Sequence, residues 1–126
     1  MWTVHANSPE DAIIRLEALA AGGDAKISEK ALVSQVGSAI EIIVQISRYS
    51  DGSRKIGAIS EIRGVDDEGK YIVVPIFAID KLVRRADGKL EGGIEPTGSV
   101  PSFYQEVLDN KINFPASKFQ KPIKAA

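Results

Sequence analysis

Apolar residues follow a helical period in the first third of the chain and a strand period through its middle. Ser8-Pro9-Glu10-Asp11 has the make-up of a helix start: Ser8 can accept from free backbone N–H groups, Pro9 suits the first helical position, and two acids face the positive dipole end. Ala12, Ile13, Leu16, Leu19 and Ala20 follow at i, i+3, i+4 spacing, which predicts one half-buried helix ending at Gly22-Gly23. The segment ahead of it, Trp2-Thr3-Val4, is β-prone. A second helix is predicted from Ser28, with Ile27 and Leu32 placed for a hydrophobic staple. Its stripe is Leu32, Val33, Val36 and Ile40, and Gly37 is either a weak point or a close-packing position.

The period then shortens to two. Ile42 to Ile46 is rich in β-branched residues, Tyr49-Ser50-Asp51-Gly52 has a turn signature, and Arg54 to Arg63 makes the return strand, with Gly57 a possible bulge. Gly64 to Gly69 turns again into a third strand, Tyr71 to Ile79. There Pro75, lacking an N–H, favours an edge position or a bulge. Ala86-Asp87-Gly88 leads to a short fourth segment near Lys89-Leu90-Glu91. A glycine-rich stretch, Gly92 to Gly98, then reaches Pro101 and a short helix whose expected buried side is Phe103, Val107 and Leu108. The expected fold is α+β: two N-terminal helices, an antiparallel meander of three to four strands, and a short C-terminal helix. Residues 1–114 form the expected domain, and 115–126, rich in Lys and Ala with no apolar period, a flexible basic tail.

Composition narrows the function classes. With 126 residues, 44% apolar and 26% charged, the chain is one globular domain's worth. Sixteen basic residues against seventeen acidic ones leave a net charge of -1, with no basic surplus of the kind nucleic-acid binding uses. There is no cysteine, which removes disulfides and thiolate chemistry. No apolar run approaches the ~18 residues of a membrane span, and no basic segment leads into an apolar stretch as in a signal peptide. A cytoplasmic chain without membrane insertion is expected.

Candidate chemistry is sparse. His5, the one histidine, lies where the β-prone segment meets a helix start, a junction at which α/β sheets present ligand-binding groups and a helix N-terminus favours anions. One histidine cannot build a histidine-based metal site, so no metal site is expected. Gly69-Lys70 and Gly88-Lys89 are followed by Tyr71 and Leu90, in turns that precede strands, so neither is a phosphate-binding loop. Arg48, Arg54 and Lys55 flank the Asp51-Gly52 turn, either solvating a hairpin tip or contacting a nucleotide or neighbouring subunit. Lys118, Lys121 and Lys124 read as a solubilising end.

The stretch Thr3-Val4-His5-Ala6-Asn7-Ser8-Pro9-Glu10-Asp11-Ala12, continuing to Arg15-Leu16-Glu17, resembles the histidine-box segment of the type II/IV secretion ATPases. Ser38-Ala39-Ile40, Ile43 to Arg48 and Asp51-Gly52-Ser53-Arg54 are similar to the strand that follows in the tight-adherence (Flp) pilus branch. Ile59-Ser60-Glu61-Ile62-x-Gly64 and Pro96-Thr97-Gly98-x-x-Pro101-x-Phe103 are similar to its later segments. Glu41, where aspartate is more usual, and Ala20-Ala21-Gly22-Gly23 depart from the pattern. The resemblance implies the C-terminal part of a RecA-like ATPase core, cut off from its phosphate loop and inactive alone. It implies a parent that binds ATP and Mg²⁺ in a homo-oligomeric, hexameric ring against an inner-membrane platform protein. In the family the histidine of this box lies near the terminal phosphate, a role carried to His5. Arg15 and Arg48 match family positions as candidate nucleotide or subunit contacts. The alternative is a complete small interaction or regulatory module that binds no nucleotide.

Overall fold

The computed structural model describes residues 3–22 and 28–121. Its elements are helix α1 (Pro9–Ala21), helix α2 (Glu29–Ala39), strands β1 (Ile42–Arg48), β2 (Arg54–Val65), β3 (Tyr71–Ile79), β4 (Val83–Arg84), β5 (Leu90–Glu91) and β6 (Ile94–Pro96), helix α3 (Tyr104–Asp109) and a 3₁₀ turn at Ala116–Phe119. Strands β1-β2-β3-β6, in that order, make an antiparallel four-stranded sheet, and β4-β5 a separate two-stranded one. The α+β expectation therefore holds, with two N-terminal helices and a short C-terminal one. The chain divides into two units, residues 1–43 with 61–74 and residues 44–60 with 75–126.

In the first unit both helix starts are built as their sequences dictate. Ser8 Oγ accepts from Asp11 N at 3.0 Å, Pro9 takes the first helical position, and Ser28 Oγ accepts from Ala31 N at 3.2 Å. The proposed staple residue Ile27 lies outside the described residues. Ala12, Ile13, Leu32 and Ile62 form the buried aliphatic core. The α1 stripe is only half used: Ile13 is fully buried, whereas Leu19 is 71% exposed. Gly37 is a close-packing position, because a Cβ there would stand 2.9 Å from Val65 Cγ2. Thr3 to Ala6 adopt no regular secondary structure, so β-propensity in this short segment is overridden. Trp2 lies outside the described residues.

The second unit differs from expectation in three places. The fourth strand of the sheet is β6, drawn from the glycine-rich stretch. It pairs antiparallel with β3 as Phe77↔Pro96, Ala78↔Glu95 and Ile79↔Ile94. Leu90–Glu91 instead pairs with Val83–Arg84. Pro75 lies just ahead of the stretch of β3 that β6 covers, which reconciles an interior strand with a missing donor. Leu108, expected on the buried side of α3, is 48% exposed, and α3 has no buried residue; Phe103 and Val107 are half-buried and Pro101 is buried. Within the stretch read as a tail, Ala116–Phe119 close a 3₁₀ turn and Phe119 is buried. Phe119 meets the rings of Phe77, Tyr104 and Phe114 at 5.8, 5.6 and 5.3 Å between centroids. A single buried ring leaves no period to read. Residues 122–126 lie outside the described ones.

Candidate functional site

His5 is exposed on the irregular segment that leads into α1, with no hydrogen-bond partner among the described residues. Beyond it the chain closes on itself. Asp11 Oδ2 accepts from Asn7 N at 3.2 Å and pairs with Arg15 Nε at 3.4 Å, one helical turn on. Arg15 is thus exposed and spent on a local i, i+4 pair of the kind that contributes a few tenths of a kcal/mol. Arg48 ends β1 in the other unit and is exposed.

This arrangement bears directly on whether a nucleotide fits. A helix N-terminus attracts phosphate through free N–H groups and its dipole. At α1 the Asp11 N–H goes to Ser8, Pro9 has no N–H to offer, and Glu10 and Asp11 already place negative charge in the first turn. The anion preference inferred for this junction is therefore met by the chain's own side chains. Among the described residues, His5 has no base or orienting carboxylate in hydrogen-bond contact. Among the described residues, no three His, Cys, Asp or Glu side chains gather closely enough to hold a metal ion.

Next to His5, Thr3 and Val4 line an almost wholly apolar cavity of about 440 Å³ between the helices, with Leu16, Leu19, Leu32 and Val36. A second cavity, of about 530 Å³, is bordered by Glu29 and the Asp66-Asp67-Glu68 turn. The buried carboxylate of this unit is Glu61, 3% exposed and paired with Arg63 at 2.9 Å. Sequence reasoning missed it, although a Glu-x-Arg pair on one strand face was the available signal: carboxylates are rarely buried without a cation.

The chain is similar to proteins of known sequence over part of its length. It is 33% identical over 79 residues to proteins named "Putative conjugal transfer protein" in two strains of Mycobacterium tuberculosis, CDC 1551 and H37Rv. The match covers 63% of this chain but only 21% of those relatives, so the chain spans about a fifth of their length. No protein-family profile matches it. No described helix is long and apolar enough to cross a membrane.

The second unit has its own polar centre. Asp51 Oδ1 accepts from Ser53 N at 2.9 Å and from Ser53 Oγ at 2.6 Å, while Oδ2 accepts from Leu90 N at 2.8 Å. Arg84 donates to Gly88 O at 2.8 Å and to Ser50 Oγ at 2.9 Å. Together they latch the β1–β2 turn to the β4–β5 hairpin. The Ser53 hydroxyl first, then the Leu90 and Ser53 amides, hold the Asp51 carboxyl well below the usual carboxylate range.

Proposed function

We propose that these residues are a C-terminal portion of a cytoplasmic motor ATPase of type II/IV secretion or pilus assembly, of the tight-adherence branch. The similarity to conjugal transfer proteins five times as long as the matched stretch carries the reading. The order of the histidine box and the later segments supports it. Electrostatic stabilisation in such motors comes from a phosphate loop and its metal, and this sequence holds no such loop. His5 then acts only in the longer polypeptide, near the terminal phosphate, in a ring that works against an inner-membrane platform. Arg15 and Arg48 are candidate contacts within that ring.

Titration of the 126-residue chain with Mg·ATP should give no calorimetric signal at micromolar nucleotide, with affinity no better than about millimolar. In the longer polypeptide, sought from the genomic reading frame upstream of Met1, His5→Ala should lower kcat by about tenfold or more with little change in nucleotide affinity. A micromolar heat from the short chain, or an upstream frame without a Gly-x-x-x-x-Gly-Lys-Ser/Thr loop, would sink the reading.

A further inference from the structure

The chain-wide charge of -1 conceals a division. The first unit carries ten acids and five bases, the second eleven bases and seven acids. Six of those bases, Arg48, Arg54, Lys55, Arg84, Arg85 and Lys89, lie on the two hairpins that Asp51 and Arg84 latch together. The side chains of Arg48, Arg54 and Lys89 have no hydrogen-bond or ion-pair partner among the described residues. Arg85 has a 4.0 Å contact with Asp87, and Lys55 lies in the field of Asp51.

Arg48 and Arg54 share a face with aliphatic residues, whereas Lys55, which alternates with Arg54 and Ile56, faces the other way. Along the part of β1 in this unit the exposed positions alternate as Val44, Ile46 and Arg48, with Val44 50% and Ile46 60% exposed. On the part of β2 that belongs to the second unit, the exposed positions are Arg54 and Ile56. A Cβ on Gly57 would meet Tyr49 Oη and Ser47 Oγ, so Ile56, one residue earlier, faces the opposite way, with Ile46. Aliphatic side chains and unpaired guanidinium groups thus share one surface, and Val83 adds a 53% exposed aliphatic residue on the neighbouring hairpin.

We propose that this face is a peripheral docking surface for an anionic lipid bilayer, independent of the motor reading. Cations draw such a surface to acidic headgroups, and aliphatic side chains beside them enter the headgroup–acyl boundary. Nucleic acid would call for stacking aromatics, and the neighbours of these arginines are aliphatic; Tyr49 is half-buried against Gly57.

Flotation of the full chain with vesicles tests it. Binding is expected to phosphatidylcholine vesicles with ~30% phosphatidylglycerol and not to phosphatidylcholine alone, weakening steeply from ~50 to ~300 mM salt. Arg48→Glu with Arg54→Glu should cut binding by at least about tenfold. Neither side chain holds a structural partner, so the fold should survive, as circular dichroism would verify. Ile46→Thr keeps a β-branched residue and should weaken binding a few-fold, most visibly at high salt. The proposal is overturned by equal binding to neutral vesicles, by no vesicle binding, or by a double variant that still floats. It is also overturned if soluble polyglutamate or duplex DNA binds in place of vesicles and Ile46→Thr leaves that affinity unchanged.

Discussion

The two units of this chain are held by different means. The first packs aliphatic side chains from two capped helices, Ala12, Ile13 and Leu32, with Ile62 from β2, and its polar contacts are mainly local caps and turns. The second has a thin aliphatic core, in which Ile76 is buried, and relies on a ring cluster about Phe119 and a carboxylate that ties two turns together. Dispersed packing lets many residues share the load, whereas a cluster concentrates it in one side chain. Substitution should therefore cut deepest at the cluster.

Phe119→Ala is the most severe test of that difference. It removes a ring that is 6% exposed and leaves three aromatic neighbours facing a void, so a loss of about 3–4 kcal/mol is expected in denaturant unfolding. Phe119→Leu keeps apolar bulk and gives up the ring contacts, for which about 1–2 kcal/mol is expected. Ile13→Ala in the first unit should cost about 3 kcal/mol, within the range for a fully buried aliphatic residue. The contrast breaks if Phe119→Ala costs under ~1 kcal/mol while Ile13→Ala keeps its full effect.

Glycine gives a smaller and sharper contrast. Gly37→Ala gains about 1 kcal/mol of helix propensity but drives a methyl to 2.9 Å from Val65 Cγ2, on a stiff β-branched side chain. Overpacking of that kind costs about 1–3 kcal/mol, so a net loss of about 1 kcal/mol is expected from thermal unfolding. Gly57→Ala meets Tyr49 Oη at 3.1 Å, the far end of a side chain that can yield, and should change stability by less than ~0.5 kcal/mol. Equal costs would show that neighbour stiffness is not what separates the two positions.

The same division governs what could be read from sequence. The helices and long strands announce themselves because periodic burial repeats many times: β3 was expected at Tyr71 to Ile79 and is found there, and both serine caps bond as expected. The second unit's distinctive contacts occur once each. Phe119 has no periodic partner, and β6 hides among glycines because three residues suffice to pair with Phe77–Ile79. The Asp51–Leu90 bond joins positions 39 apart, which no local pattern encodes. Around His5, the helix start that follows it was legible, whereas the strand expected ahead of it is irregular chain. The serine cap of α1, which accepts from the Asp11 N–H, was legible there too. The basic face was invisible because charges were summed over a chain whose two units have opposite sign.

The smallest expected effect separates the units by pH. In the first, burial, then the hydrogen bond to Glu17 at 3.0 Å and its charge, push the Tyr71 phenol up to about 12. Because its folded pKa lies above the ordinary 10.0, its contribution is complete below pH 10 and lost as pH rises through about 12. In the second, the folded pKa of Asp51 is depressed below the ordinary 3.8, so its contribution is present above that value and lost as pH falls through the folded one. Acid should thus speed exchange of the Leu90 amide without disturbing Tyr71, and alkali should ionise Tyr71 without releasing Leu90. Amide exchange and phenolate absorbance read the two events separately. Asp51→Asn should abolish the acid step in Leu90 exchange, and Tyr71→Phe any alkaline loss of stability that this phenol causes. A Leu90 amide that stays protected in strong acid would mean that the latch does not depend on the carboxylate charge, and the contrast between packed and latched units would lose its polar half.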